Sequence, residues 1–430
     1  MKNIAGLRCF NCGREYAAAE VKYVCPSCGG NLDVVYDYNL IKKSLSHNSL
    51  KNNTNYSIWR YSPVLPVDIS SARLPTLPVG WTPLLKAHNL SKALGLENLY
   101  LKDDTKLPSA SFKDRASSVV VVYGQSIGVN TYTTASTGNA GCALACMCAN
   151  LGLPCVILVP ETAPKAKIAQ LLIFGAKVIA VNGTYDDAFD LSIKAAEEFG
   201  WYCRSTGYNP YTREGKKTAA LEICEQMNWK APDKVFVPVG DGNIISGIWK
   251  GFKDFYAMGF IDKLPQVIAV QSELSNAIAK AVMKYEKEIY TKKPRPGESK
   301  KIPRIKIEPV KATTIADSIS VDMPRDGIAA VRAVVESKGF AMEVSDGEIL
   351  DAIRTMSQSE GLFPEPAGAA ALAGLKKFIG TGKANPEENI VCLVTGNGLK
   401  DINAAMKVAG EPLSINPDLE SLRKAVHPKP

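Results

Sequence analysis

Short apolar runs rich in β-branched residues recur along the chain from about residue 95. They fall at 98–102 (NLYLK), 131–135, 155–159 (CVILV), 177–181 (KVIAV), 235–239 (VFVPV), 266–270 (QVIAV) and 390–394 (IVCLV). Segments of helical period separate them, and Gly175, just ahead of the fourth run, reads as a helix C-cap. Near-continuous apolar strands alternating with helices are what parallel sheets covered on both faces require. The strands form two sets, so the pattern predicts an α/β fold of two doubly wound domains around a cleft. The expected divisions are a small unit at 1–36, a smaller α/β domain at 95–205, a larger one at 37–94 and 206–415, and a tail at 416–430. The longest apolar stretch, 142–159, is broken by Asn150, Gly152 and Pro154, so it reads as a helix followed by a buried strand, not a membrane span. Residues 285–309 lack periodicity, are rich in Lys and Pro, and are predicted to be a long surface loop.

Composition narrows the class. Of 430 residues, 46% are hydrophobic and 22% charged, enough apolar material for a substantial core. Much of the net charge of +8 sits in 284–311, which reads as a solvated basic loop. A nucleic-acid binder concentrates more positive charge among aromatics, so no nucleic-acid partner is expected. The rest of the surface is consistent with attracting small anionic substrates. Residues 1–9 contain no apolar core of a secretory signal, and several of the eleven cysteines (Cys146, Cys148, Cys155) lie in apolar runs, as suits a reducing cytoplasm.

The first 36 residues carry their own chemistry. Cys9 and Cys12 form one CxxC pair, Cys25 and Cys28 a second, and glycines follow each pair (Gly13; Gly29 and Gly30). Four thiolates so spaced match a tetrahedral zinc site of the ribbon or knuckle type. A closed four-sulfur shell leaves no position for substrate, so the expected role is structural. A redox dithiol and an iron–sulfur site are the alternatives that spacing leaves open.

Four further motifs sit where strands end and helices begin. Lys113, in SFKDR, opens an apolar helix at 116–123 beside Phe112. The helix dipole and partial burial both favour a neutral amine there, the form a Schiff base needs. Alone, the motif reads more often as a surface lysine paired with Asp114. Ser136, Thr137, Gly138 and Asn139 (in STGNAG) follow a strand and form an anion site suited to a carboxylate. Gly240, Asp241, Gly242, Asn243 and Ile244 have the form of a phosphate cradle, and Thr395 begins TGNGLKD directly after the 390–394 strand. A structural turn explains each motif singly, but not all of them together at strand ends.

In this order, with Gly80-Trp81-Thr82-Pro83-Leu84 before them and Phe363-Pro364-Glu365-Pro366-Ala367 ahead of TGNGLKD, the motifs resemble those of threonine synthases. These belong to the pyridoxal-phosphate enzymes of the tryptophan synthase β fold (fold type II). The resemblance runs from about residue 58 to 405, and the cysteine-bearing N-terminus is similar to that of many microbial members. It implies pyridoxal 5′-phosphate bound to Lys113, which also moves the α-proton. Asn139 would face the cofactor's ring hydroxyl, and Ser136, Thr137 and Gly138 would hold the substrate carboxylate. Gly240 to Ile244 would cradle the cofactor phosphate, and Thr395 would meet the pyridine nitrogen. The implied reaction converts O-phosphohomoserine and water to threonine and phosphate, in an enzyme that resembles homodimers.

Two segments depart from that pattern. The family commonly has an Asn-Ser pair and then an arginine directly after Pro-Tyr; this chain has Thr206-Gly207 and Thr212. A threonine cannot replace a guanidinium on a phosphate, so Arg213, one residue on, is the expected substitute, with Lys216 and Lys217 near. The second departure is 317–324 (DSISVDMP), where a more apolar run is usual. Both bear on substrate and not on cofactor. They keep open a β-replacement or β-elimination enzyme, dehydratase-like or cysteate-synthase-like, acting on a serine- or threonine-type amino acid.

Overall fold

The computed structural model describes residues 3–163, 165–291 and 305–426. Strands β1 (Ile4–Cys9), β2 (Glu15–Tyr16) and β3 (Leu32–Tyr36) make a small antiparallel sheet in the order β2-β1-β3. Strands β6 (Tyr132–Ala135), β7 (Cys155–Pro160), β8 (Lys177–Val181) and β9 (Tyr202–Cys203) form a parallel sheet ordered β8-β7-β6-β9. The third sheet is built from β4 (Leu84–Lys86), β5 (Asn98–Asp103), β10 (Lys234–Pro238), β11 (Gln266–Ser272), β12 (Ala341–Val344) and β13 (Asn389–Val394). Its order is β12-β11-β10-β13-β5-β4, parallel except for the antiparallel edge strand β4.

All seven apolar runs are strands, each within two residues of its predicted limits. Strand β5 falls in the six-stranded sheet, beside β13, and not in the unit expected to begin at residue 95. Its neighbour lies almost three hundred residues away in sequence, a pairing that local pattern does not encode. Helix Ala277–Thr291 corrects a second expectation: it runs through the first residues of the stretch read as a loop from 285. The rest of that stretch, up to 304, lies outside the described residues. Among the described residues no helix is long and apolar enough to cross a membrane.

Four helices position the site: α1 (Lys113–Ser126), α2 (Asn139–Leu151), α3 (Tyr211–Lys216) and α4 (Asn243–Met258). Helix α1 is buried from Asp114 to Gly124, and α2 buries Cys142, Cys146 and Cys148 as small apolar groups. Helices α1 and α3 approach so closely that a Cβ on Gly215 would stand 2.0 Å from the Arg115 carbonyl oxygen. Only glycine fits that contact.

A candidate active site at the strand ends

Lys113 is the first residue of α1, and its place is fixed from β13: the Phe112 N–H donates to the Thr395 carbonyl at 2.9 Å. The Asn397 N–H donates to the Ala110 carbonyl at 3.1 Å, closing a second bond between the two segments. Asp114 does not pair with the lysine. Its carboxylate accepts from the Ser109 N–H and hydroxyl at 2.7 and 2.5 Å, and burial raises it to about 7. Burial, more than any other influence, lowers the Lys113 amine from its ordinary range; Glu365 opposes this, and the Arg204 and Lys400 cations add to it.

Lys113 lines a cavity of about 640 Å³. Ser136, Thr137, Gly138 and Asn139 reach it from the end of β6, Gly240 to Ile244 from the end of β10, and Thr395 from the end of β13. Motifs as far apart in sequence as Lys113 and Thr395 thus converge because open parallel sheets place their binding loops at strand C-termini. The Asn139 amide donates to Glu365 Oε1 at 2.8 Å and to Ser318 Oγ at 3.1 Å, which fixes its orientation. Glu365, its carboxyl pushed up by burial, stands at the residue before helix Pro366–Gly380, with its carboxylate turned to Asn139 and not to the helix N–H groups. At the cradle, a Cβ on Gly240 would stand 2.8 Å from Ile319 Cα, so the loop can close only with glycine there. The first-turn N–H groups of α4 begin at this loop and have no intrahelical acceptors.

Thr212 and Arg213, the two substrate-side candidates of the Asn209–Thr218 segment, do not line this cavity. Thr212 is fully buried and donates to the Asn209 carbonyl at 2.8 Å, a bond within its own turn. Arg213 points away from the cavity: its guanidinium grips both Asp326 carboxylate oxygens at 2.6 and 2.8 Å and packs over the Phe10 ring. The physical reason is helical geometry. Successive residues of α3 point about 100° apart, so a cation one residue along cannot take the same direction. Lys217 likewise pairs with Glu214 and Asp254, both at 2.7 Å.

Arg204 and Lys216 do line the cavity, and sequence reasoning singled out neither as a ligand. Lys216 was within the noted basic run, but Arg204 follows a two-residue strand with no motif around it. Loop 317–323, the second departure from the family pattern, also faces the cavity, with Ser318 on Asn139 and Ile319 on Gly240.

The four thiols near the N-terminus come together. The Sγ atoms of Cys9, Cys12, Cys25 and Cys28 lie within 4.8 Å of one another, with Cys9–Cys28 at 3.5 Å and Cys12–Cys25 at 3.6 Å.

Residues 75–396 match the family of pyridoxal-phosphate dependent enzymes. A threonine synthase of Methanocaldococcus jannaschii is 40% identical over 418 residues, 97% of this chain and 98% of the relative. One of Methanosarcina acetivorans is 37% identical, over 98% and 99% of the two chains. Among solved structures, a threonine deaminase of Solanum lycopersicum superposes with a TM-score of 0.60 at 24% identity, over 76% of this chain and 86% of the other. A diaminopropionate ammonia lyase of Escherichia coli reaches 0.61 at 17% identity, over 83% and 93%. These two likenesses establish the fold.

Proposed function

Because this chain belongs to the threonine synthase family of pyridoxal-phosphate-dependent enzymes, we propose that it forms threonine and phosphate from O-phosphohomoserine and water, with the cofactor carried on Lys113. The observation that carries this reading is the convergence of Lys113, the Ser136–Gly138 loop, the glycine cradle and Thr395 on one cavity. The residues fit the cofactor. The cradle offers unpaired helix N–H groups to a phosphate, and the amine that would bond the aldehyde is held toward its neutral form.

Bound there, pyridoxal phosphate supplies an electron sink for charge developing at the substrate's α-carbon. The backbone N–H groups and hydroxyls at Ser136, Thr137 and Gly138 bind the substrate carboxylate. Asn139, oriented by Glu365 and Ser318, would face the ring hydroxyl. The Thr395 hydroxyl would face the ring nitrogen, and a hydroxyl, unlike a carboxylate, would not hold that nitrogen protonated, which would favour elimination and replacement over transamination. Lys113 takes the α-proton as a neutral base and moves it during the later steps. Loss of a β-proton breaks the γ-carbon–oxygen bond and releases phosphate; the γ-carbon then takes up a proton, water adds its hydroxyl at the β-carbon, and the α-carbon regains a proton to give threonine.

Cys9, Cys12, Cys25 and Cys28 hold a structural zinc in this reading. A tetrahedron with Zn–S bonds of about 2.3 Å has edges of about 3.8 Å, close to the sulfur separations observed. The division into a smaller domain around β6–β9 and a larger one around the six-stranded sheet, and assembly as a homodimer, belong to the same proposal. Titration of the purified protein with pyridoxal phosphate tests the cofactor assignment. A visible absorbance band should appear and be absent in Lys113→Ala; a wild-type protein that takes up no cofactor overturns the reading.

A further inference from the structure

A buried cation without a counterion is strongly disfavoured, because its lost hydration is not replaced. Among the described residues, this chain nearly always complies. Arg115 rests on Asp104 and Glu222, Lys102 on Glu222, Lys217 on Glu214 and Asp254, and Lys250 on Asp33 and Glu214. Arg204 and Lys216 are as deeply buried, at 0% and 1% exposure, and neither meets a carboxylate. The Arg204 guanidinium donates to Ser117 Oγ at 3.1 Å and Thr206 Oγ1 at 2.9 Å, and its remaining terminal nitrogen is buried with no partner. Lys216 makes no ion pair among the described residues. Burial, then the Arg204 charge, pushes its ammonium well below the ordinary range, and burial brings Arg204 down to about 10. Both residues line the same cavity as Lys113.

Two desolvated cations facing one cavity call for an anion of matching charge. We propose that Arg204 and Lys216 form the subsite for the substrate's dianionic phosphate, supplying the charge that Thr212 lacks. The inference rests on the O-phosphohomoserine reading and identifies which side chains recognise its leaving group. A second phosphate, the cofactor's, competes for the assignment, but the cradle at Gly240–Ile244 already meets it with backbone N–H groups. Arg204 belongs instead to the side that binds the substrate carboxylate. It follows β9, which pairs with β6, and Ser205 Oγ lies 3.2 Å from Thr134 Oγ1 near the end of β6. The Ser136–Gly138 loop leaves that same strand end. An amino acid with a γ-phosphate carries its two anionic groups a few bonds apart, so one cavity must hold both subsites. Arg213 cannot contribute, since Asp326 holds it.

The test uses the holoenzyme and two probes, the methylene phosphonate analogue of O-phosphohomoserine and 2-aminopentanoate, which lacks the phosphonate. Binding of each is followed by the change in the cofactor's visible band. Wild type should prefer the phosphonate strongly. Arg204→Gln and Lys216→Met should each reduce that preference by roughly 10- to 100-fold, the loss of one charge-assisted contact. Their affinity for pyridoxal phosphate, titrated separately, should stay close to wild type, which also shows that the variants fold. An unchanged preference in both variants overturns the proposal. A fall in cofactor affinity with the preference intact overturns it as well, by assigning the pair to the cofactor's phosphate. Threonine production by wild type stands apart from these outcomes. If the enzyme makes threonine while the variants keep the preference, the subsite fails and the function stands; if no threonine forms, the function itself fails.

Discussion

Glu222 shows how single residues hold Lys113 in place. Burial alone would raise its carboxyl, but Arg115 and Lys102, with contacts at 2.5 to 2.8 Å, overcome this and bring it to about 2. Arg115 lies two residues beyond Lys113, and Lys102 is on β5, so the carboxylate ties α1 to the six-stranded sheet. A carboxyl whose folded pKa is depressed stabilises above its ordinary value, near 4.5, and the benefit is lost as pH falls toward 2. The shift corresponds to about 3 kcal/mol. Acid unfolding of wild type should therefore steepen across that window, as monitored by circular dichroism. Glu222→Gln should flatten this part of the profile. At neutral pH the same variant should lose about 3–5 kcal/mol in a urea titration, because it strips Lys102 of its carboxylate and leaves Arg115 only Asp104. A variant as stable as wild type at pH 7 would contradict this account of the network.

Between elements, the small N-terminal sheet is wired to the glycine loop that opens α4. Asn31 follows Cys28 by three residues, and its amide donates to the Gly207 and Arg325 carbonyls at 2.7 and 2.8 Å and to Asp326 at 3.1 Å. Asp326 also accepts from Arg213, from Ser246 and, at 2.7 Å, from Asn243, the residue that opens α4. The Tyr36 hydroxyl on β3 donates to Glu214 on α3 at 2.6 Å. Asn31→Ala should destabilise the fold by about 1–3 kcal/mol, since it leaves the Gly207 and Arg325 carbonyls without this donor. Removal of bound metal by a chelator should lower the affinity for pyridoxal phosphate, read by absorbance titration, because the thiol cluster sets the position of Asn31. Unaltered cofactor affinity after verified metal loss would show that the two ends are independent.

Across the whole molecule, what local pattern encodes was legible in the sequence and what distant packing decides was not. The apolar runs became strands, and the motifs at their ends met in one cavity, because strand period and helix-start chemistry are local properties. Strand β9 has two residues and β12 reads AMEV, too short or too polar to register. The sheet to which β5 belongs depends on β13, nearly three hundred residues on. Arg204 is recognisable only by what it lacks, a carboxylate partner, and that is a property of the folded chain. Arg213, the expected stand-in for a guanidinium at position 212, is held by Asp326, more than a hundred residues later, a pairing that local sequence does not encode.

The proposed reaction on O-phosphohomoserine turns on Lys113. Product analysis of the pyridoxal-phosphate-loaded enzyme with that substrate measures it directly. Threonine and inorganic phosphate should appear in equal amounts, and neither should form with Lys113→Ala. A keto acid with ammonia in place of threonine, or turnover of serine or threonine with none of O-phosphohomoserine, would contradict the account.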